Sequence, residues 1–198
     1  MEQKPARVRI LEAAKELMGT IGLARTTTKE IAKAAGCSEA ALYKYFANKE
    51  ELFVTVLSER LPGLGALLHK LAAEPGAATV EENLTAIARQ AALFYEQTFP
   101  MAASLYAEPQ LKRRHEEAMR ALGTGPHKPI HGLDAYLRAE QKAGRIRPDA
   151  DTYAAASLLL GACAQRAFAY DMTEEGRPPQ PVDTFAAGLA RTLLGGIS

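Results

Sequence analysis

The chain has 198 residues, of which 47% are hydrophobic and 24% are charged, and its formal net charge is +1. This length is enough for one large domain or two small ones with a buried core. The sequence has no long uninterrupted apolar run and no secretory signal at its N-terminus, so we expect neither a membrane span nor secretion. Its two cysteines, Cys37 and Cys163, are far apart in sequence, which is typical of a reduced cytoplasmic compartment.

The charge is divided unevenly along the chain. Residues 1–50 contain nine Lys or Arg against six Asp or Glu, which is +3, and the remainder contains fifteen against seventeen, which is −2. A positive excess favours binding to phosphate groups, and here it is confined to the N-terminal quarter.

The apolar pattern of residues 4–20 predicts an amphipathic helix, and Gly19 and Gly22 are expected to end it. Arg7 and Arg9 lie beside its apolar face. Two roles remain open for these arginines: contact with a phosphate or a minor groove, or a solvated basic turn.

The stretch from 26 to 53 contains the most specific pattern in the chain. Thr27 and Glu30 have the spacing of a capping box, in which the hydroxyl and the carboxylate each satisfy an amide of the first helical turn. Gly36 can take the left-handed conformation that ends this helix, and Ser38 can cap a second one. Two short helices joined by a tight turn with a glycine are typical of a helix-turn-helix.

The second helix of this motif has an inner and an outer face. Leu42 and Phe46 lie one turn apart and are predicted to face the core. The residues that must then face outward, where this motif enters the major groove, are Glu39, Ala40, Tyr43 and Lys44.

A third helix is predicted to begin near Asn48, which has capping-box spacing to Glu51. Lys49 would lie in its first turn, where a cation is unfavourable unless an anion lies in front of it. This combination predicts a phosphate contact.

These residues resemble the TetR family of bacterial transcriptional regulators. The matching pattern is T-T-x-x-I-A-x-x-A-G, then L-Y-x-Y-F, then N-K-E-x-L, in the family's order and spacing from Thr27 to Leu52. The resemblance implies an all-α fold with a helix-turn-helix DNA-binding domain, residues 1–47, and a larger helical domain, residues 48–198, for ligand binding and dimerisation. The rest of the chain matches only in length and helical character.

The resemblance also implies which side chains hold double-stranded DNA. Thr27, Thr28, Tyr43 and Lys49 would bind phosphate. The residues that would face or flank base edges are Lys29, Glu39, Ala40, Ala41, Lys44 and Tyr45. Their chemistry is suitable, because Lys can donate to guanine, Glu can accept from cytosine N4 and Ala can pack on a thymine methyl. The alternatives are that Thr27 is only a cap, Tyr45 is partly packed, and Glu39 is a first-turn carboxylate favoured by the helix dipole.

Proline and glycine separate the remaining predicted helices. Pro62-Gly63 interrupts the helix that begins at Asn48 and forms either a hinge or a corner. The helices predicted after it are 64–73, 80–99, 101–107, 111–122, 130–143, 149–172 and 185–194. With no alternating strand pattern, the predicted fold class is all-α.

The helices at 149–172 and 182–195 carry more apolar surface than one small domain needs. The resemblance implies that they form a four-helix interface in a homodimer, and the alternative is that they only fill the core of the monomer. Because one recognition helix reads few base pairs, a two-fold dimer on a palindromic operator is the expected arrangement.

The resemblance further implies a small-molecule pocket in the helical domain. Aromatic and methionine side chains on the middle helices are candidates to line it: Phe94, Tyr95, Phe99, Met101, Tyr106, Met119, Tyr136 and Phe168. Few charges lie among them, which indicates a hydrophobic or aromatic effector. The alternative is that they are ordinary core residues.

Metal and catalytic patterns are incomplete. His127 and His131 are four residues apart, but Pro129 lies between them and no Cys or carboxylate completes a ligand set. We expect no metal, no cofactor and no enzymatic activity, since the sequence lacks a Gly-rich phosphate loop, G-x-S-x-G and H-E-x-x-H. The leading hypothesis is a cytoplasmic, effector-released repressor. The alternatives are a ligand-independent regulator, an activator, or an enzyme that uses the helical pocket.

Overall fold

The structure is a computed structural model, and it describes residues 4–59, 63–76, 78–171 and 180–197. Over these ranges the chain forms ten helices and no strand, which confirms the predicted all-α class. The helices are α1 (Ala6–Arg25), α2 (Thr28–Ala34), α3 (Glu39–Leu42), α4 (Lys49–Glu59), α5 (Leu64–Ala73), α6 (Val80–Ala107), α7 (Pro109–Ala121), α8 (Lys128–Lys142), α9 (Thr152–Asp171) and α10 (Val182–Ile197).

The prediction of two helices on either side of Pro100 is wrong, because α6 continues through this residue. A proline inside a helix removes one backbone hydrogen bond and crowds the preceding turn. Met101 and Leu105, which follow it, are nevertheless almost fully buried. Burying two large apolar side chains contributes about 3–6 kcal/mol, comparable to or greater than the roughly 3 kcal/mol that an internal proline costs.

The first helix is also longer than predicted. Gly19 does not end α1, and a Cβ at this position would lie 3.4 Å from Met101 Cε, so the glycine permits a close approach. Gly22 does interrupt the helix, with φ 78° and ψ 161°, before its last turn ends at Arg25. Of the two glycines that were predicted to end the helix, Gly22 is therefore the one that interrupts it.

The chain divides into two compact units. One consists of the described residues within Met1–Leu61 and Gln97–Gly125, and the other of those within Pro62–Glu96 and Pro126–Ser198. The first unit is larger than the predicted DNA-binding domain, residues 1–47, because α7 packs against α4, which packs against α1. The boundary between residues 47 and 48 stays a prediction.

In the first unit, α1 to α4 contribute apolar side chains to a buried core. Its fully buried side chains include Ile10, Leu11, Met18, Leu23, Ile31, Leu42, Leu52 and Phe53. An ion pair from Arg114 Nε to Glu50 Oε1, 2.9 Å long, joins α7 to α4.

The second unit has its own core, in which α8 packs against both α5 and α9. One face of α9 contributes buried residues, including Ala156, Leu159 and Cys163. An ion pair from Arg89 Nε to Asp183 Oδ1, 2.6 Å long, joins α6 to α10. The guanidinium of Arg166 lies 4.9 Å from the ring centroid of Phe185, which adds a second link to α10.

Two further expectations concern single segments. Pro62 lies outside the described residues, so the role of Pro62-Gly63 stays open. Among the helices of the described ranges, none is long and apolar enough to cross a membrane.

His115 provides a pH-dependent contribution to stability. Its ring packs 5.0 Å from the ring of Phe53, and its Nδ1 is buried without a hydrogen-bond partner. Burial lowers the pKa of His115 below its ordinary 6.5, although Glu50 and Glu116 oppose the shift. The unfolded chain then takes up a proton at a higher pH than the folded protein does, so stability falls as the pH drops through 6.5 towards the folded pKa.

We expect His115→Leu to lose less stability than the wild-type protein between about pH 7 and pH 5, because a residue that cannot be protonated replaces the buried imidazole. Urea unfolding at a series of pH values measures this difference. His69→Leu, on the exposed side of α5, is the control and should follow the wild-type curve. Parallel curves for wild type and His115→Leu would contradict the prediction.

Candidate nucleic-acid interface

The capping box predicted at the start of α2 is confirmed. Thr27 Oγ1 accepts from the backbone amide of Glu30 at 3.2 Å, and Glu30 Oε2 accepts from the amide of Thr27 at 3.0 Å. The hydroxyl of Thr27 also donates to Glu30 Oε2 at 2.7 Å. These bonds lower the pKa of the Glu30 carboxyl. Thr27 therefore acts as a cap in this structure, and its predicted phosphate contact stays a prediction.

The turn between α2 and α3 has the predicted geometry. Gly36 has φ 65°, and the amide of Cys37 donates to the carbonyl of Ala32 at 2.9 Å, which ends α2. Ser38 Oγ then accepts from the amide of Ala41 at 3.2 Å and starts α3. Cys37 lies partly buried in this turn as a free thiol.

α3 is a single turn that ends at Leu42, so the predicted second helix, which was to carry both Leu42 and Phe46 on its inner face, is shorter than predicted. Both side chains are nevertheless buried as predicted. Seven of the ten predicted DNA contacts have exposed side chains: Thr27, Lys29, Glu39, Ala40, Tyr43, Lys44 and Tyr45. The other three, Thr28, Ala41 and Lys49, are partly buried. Tyr43 and Tyr45 are large hydrophobic side chains with nearly half of their surface exposed. Exposed aromatic side chains next to a lysine form a surface that suits a groove of DNA.

Three of these side chains are hydrogen-bonded to one another. Thr28 Oγ1 donates to Glu39 Oε1 at 2.5 Å, and it lies 3.2 Å from the hydroxyl of Tyr43. The contacts connect the first turn of α2 to α3 across eleven and fifteen residues of sequence. Sequence reasoning placed all three residues at the interface but did not foresee that they contact one another.

The start of α4 differs in one detail from the predicted capping box. Asn48 Oδ1 accepts from the amide of Glu51 at 2.7 Å, as expected. The carboxylate of Glu51, however, accepts from the amide of Ala47 at 2.7 Å instead of that of Asn48. The reciprocal bond is thus made one residue earlier, and the helix still begins at Lys49.

Lys49 has structural partners that sequence reasoning missed. Its Nζ donates to the carbonyls of Leu23 at 2.9 Å and Thr26 at 3.0 Å, and the carbonyl of Ala24 lies at 3.4 Å. Partial burial lowers the pKa of Lys49. The sequence contained one signal for these partners. A lysine in the first turn of a helix is unfavourable unless negatively polarised groups lie nearby. Carbonyl oxygens from the end of α1 provide them.

The structure also assigns a partner to Arg7. Its two terminal nitrogens donate to the carboxylate of Glu59 at 2.6 and 2.7 Å, and its guanidinium lies 5.6 Å from the ring centroid of Phe46. The bond to Glu59 raises the pKa of Arg7. Arg7 is therefore engaged by α4 rather than simply solvated.

The candidate pocket residues are distributed over both compact units. Phe99, Met101, Tyr106 and Met119 belong to the first unit, and Phe94, Tyr95, Tyr136 and Phe168 belong to the second. Tyr136 is fully buried and Met101 nearly so, whereas Tyr106 is 80% exposed and Phe168 is 55% exposed. The rings of Phe94 and Tyr95 meet edge to face at 5.5 Å, and burial raises the pKa of Tyr95 to about 12. Ligand contact by these residues stays a prediction.

The two neighbouring histidines lie at the start of α8. His127 is the residue before the helix and His131 is in its first turns, with ring centroids 5.5 Å apart. In the part of the chain that the structure describes, no three His, Cys, Asp or Glu side chains are placed to share a metal ion.

Two family models match the chain in succession. The model described as "Bacterial regulatory proteins, tetR family" matches residues 10–56, which include α2, α3 and most of α4. The model described as "AefR-like transcriptional repressor, C-terminal domain" matches residues 82–192, which is more than half of the chain.

Individual relatives agree with these matches. The chain is 21% identical over 179 residues to the fatty acid metabolism regulator protein of Bacillus subtilis, with 88% of each chain covered. It is 40% identical over 67 residues to the uncharacterized HTH-type transcriptional regulator YvkB of Bacillus subtilis, but this match covers only 34% of the chain and 35% of the relative.

The fold is similar to the crystal structure of the transcriptional regulator FadR from Bacillus subtilis in complex with stearoyl-CoA. The TM-score is 0.69 at 19% identity, with 96% of this chain and 99% of that chain covered. At this identity the similarity shows the fold alone. The two family matches, together with the helix-turn-helix geometry, show that the chain belongs to the TetR family and is a DNA-binding transcriptional regulator.

Proposed function

We propose that the protein is a repressor that binds a palindromic operator as a homodimer and is released by a hydrophobic small-molecule effector. The observation that carries this proposal is the geometry of α2 and α3. A buried base of Leu42 and Phe46 presents Tyr43, Lys44 and Tyr45 on an exposed face. Exposed polar and aromatic side chains at the end of the recognition helix and in the turn after it suit contact with a major groove.

The second part of the proposal, the homodimer, is supported by the outer face of α9. Five of its exposed residues follow each other at intervals of four and three, so they form one stripe along the helix: Ala154, Leu158, Gly161, Gln165 and Phe168. Leu158 is 65% exposed, and a Cβ at Gly161 would meet no atom within 4 Å. Exposed apolar side chains beside small residues suit close packing against a second helix. We assign this face, together with α10, to the dimer interface.

The third part, the effector, is supported by the core of the second unit and by the relatives. The core is formed almost entirely by leucine, isoleucine, valine and alanine side chains. One relative is named a fatty acid metabolism regulator, and one similar structure contains stearoyl-CoA. We propose an effector with a long apolar part such as an acyl chain, and a protein that acts on cytoplasmic DNA without catalytic activity.

Selection of bound sites from a random DNA pool tests the first part of the proposal. We expect a palindromic consensus at about 150 mM salt, where unspecific binding to phosphates is screened. Stearoyl-CoA should then release the protein from that consensus site, whereas coenzyme A alone should not. No enrichment of any sequence would contradict the proposed function. Binding that stearoyl-CoA leaves unchanged would contradict this effector class but not the DNA binding.

We expect Leu158→Arg to convert a dimer into a monomer, because a buried charge without a partner destabilises an apolar interface. Affinity for the palindromic site should fall roughly 100-fold, since the two half-sites are no longer bound together. Analytical ultracentrifugation and operator titration measure the two effects. Leu122→Arg, at an exposed leucine after α7, is the matched control and should leave both unchanged. A Leu158→Arg variant that stays dimeric would contradict the assigned interface.

We expect Lys49→Ala to lower the thermal midpoint by about 2–4 °C, because the carbonyls at the end of α1 lose a charged donor worth about 1 kcal/mol. If Lys49 also contacts a phosphate, the slope of log affinity against log salt should become shallower by about one. Thermal unfolding and operator titrations at several salt concentrations measure both effects. Lys33→Ala, at an exposed lysine of α2, is the control for stability. An unchanged salt slope would contradict the phosphate contact, and an unchanged midpoint would contradict the structural role.

A further inference from the structure

Three buried polar side chains lie next to one another in the second compact unit. Asn83 belongs to α6, and Tyr136 and Glu140 lie one turn apart on α8. Tyr136 and Glu140 are fully buried, and Asn83 is almost so. Burial is the main cause that raises the pKa of the Tyr136 hydroxyl, and Asn83 and Glu140 also act on this pKa. The polar ends of the three side chains are therefore neighbours.

One polar atom of each side chain has no hydrogen-bond partner anywhere in the described ranges. These atoms are Nδ2 of Asn83, the hydroxyl oxygen of Tyr136 and Oε1 of Glu140, and all three are buried. Most buried polar atoms in folded proteins are hydrogen-bonded, and leaving one without a partner is destabilising. Three such atoms in one place indicate a site for a polar group that the chain itself does not supply.

The site as a whole carries no net charge. Oε2 of Glu140 accepts from Nε of Arg145 at 2.6 Å, and the amide of Arg145 donates to the carbonyl of Glu140 at 3.0 Å. The guanidinium therefore compensates the negative charge of the carboxylate. A charged occupant would be removed from water without an opposite charge left to pair with it, which is costly. The site therefore suits a neutral group.

The pattern of donors and acceptors narrows the choice further. Oε1 of Glu140 accepts, Nδ2 of Asn83 donates, and the hydroxyl of Tyr136 keeps its proton and can donate. The hydroxyl of an alcohol has one proton and two lone pairs, so it can satisfy all three atoms at once. Water has a second proton for which these three atoms offer no further acceptor. An ether or carbonyl oxygen has no proton for Glu140.

The surroundings of the three polar atoms are apolar. The buried apolar residues that flank the three side chains along α6 and α8 are Val80, Leu84, Ile87, Leu133 and Leu137. Sites for small molecules typically combine an apolar lining with a few polar groups that fix the orientation of the ligand. The polar atoms of Asn83, Tyr136 and Glu140 provide such a group within the core of the second unit.

We propose that Asn83, Tyr136 and Glu140 bind the hydroxyl group of the effector, which is an apolar molecule that carries an alcohol. A water molecule takes the position of this hydroxyl when the effector is absent. The inference rests on the proposed function, because it requires an effector that enters the second unit. It adds one alcohol group to the apolar chain proposed for that effector.

Isothermal titration calorimetry with two isomers, 1-octanol and 1-methoxyheptane, tests the inference on the full-length protein. The wild-type protein should bind 1-octanol about tenfold more tightly, because the ether cannot donate to Glu140. Equal affinity for the two isomers would overturn the inference. This comparison needs no variant, so it does not depend on whether a variant folds.

Two variants assign the separate hydrogen bonds. Glu140→Met should abolish the preference for 1-octanol, since it removes the acceptor, and the partly exposed Arg145 can turn towards solvent. Tyr136→Phe keeps the ring and should weaken the binding of both isomers about fivefold, since both accept from its hydroxyl. Tyr153→Phe, at an exposed tyrosine of α9, is the matched control and should behave as the wild type. A preference that survives Glu140→Met would exclude binding at this site.

Crystal structures with and without 1-octanol distinguish the two sources of the hydroxyl group. We expect a water oxygen within hydrogen-bond distance of all three atoms in the free protein, and the alcohol oxygen in its place in the complex. A water molecule that stays in place beside bound 1-octanol would overturn the inference. Direct hydrogen bonds among the three side chains, with no oxygen atom between them, would overturn it as well.

Operator titration tests whether this site is the effector site. Saturating 1-octanol should release the wild-type protein from its consensus site, and Tyr136→Phe should need about fivefold more of the alcohol. Binding of 1-octanol without release would exclude the effector role. If no consensus site exists, the proposed function fails, whereas calorimetry still decides on the hydroxyl site because it uses no DNA. Failure of the hydroxyl site alone leaves operator binding and release by stearoyl-CoA intact.

Discussion

The ammonium group of Lys49 links α4 to the end of α1, and the recognition helix depends on this link. The last carbonyls of a helix have no amide partners within it, and at the end of α1 those of Leu23 and Thr26 are bonded by Lys49 of α4. The turn into α2 starts directly after these carbonyls, and α3 follows from α2. The position and the orientation of the exposed face therefore depend on Lys49. This residue is itself partly buried, and the carbonyl oxygens that it binds compensate for the burial of its charge.

The sequence predicted those features that depend on near neighbours. The cap of α2 by Thr27, the left-handed Gly36 and the buried pair Leu42 and Phe46 all follow from spacings of three or four residues, and the structure confirms them. The partners of Lys49 and Thr28 are eleven or more residues away. Spacing along a chain gives no information on such contacts, because they depend on how the helices pack.

The prediction at Pro100 was wrong because a local rule was applied without its tertiary context. Pro100 disfavours a helix locally, but the burial of Met101 and Leu105 outweighs that cost. Tyr106 and Tyr136 are the same residue type on helices, yet one is 80% exposed and the other is fully buried. Residue type therefore identified candidates for a ligand pocket but did not indicate which of them are buried and which are exposed.

The first compact unit is discontinuous in sequence, because residues 97–125 belong to it together with the N-terminal helices. The side chains that join the two segments are specific ones: Arg114 pairs with Glu50, and His115 packs on Phe53. An exchange of DNA-binding ends between relatives at a single crossover after α4 would separate these pairs and leave Glu50 without its cation. The packing of the first unit therefore depends on two separate parts of the chain rather than on one continuous segment.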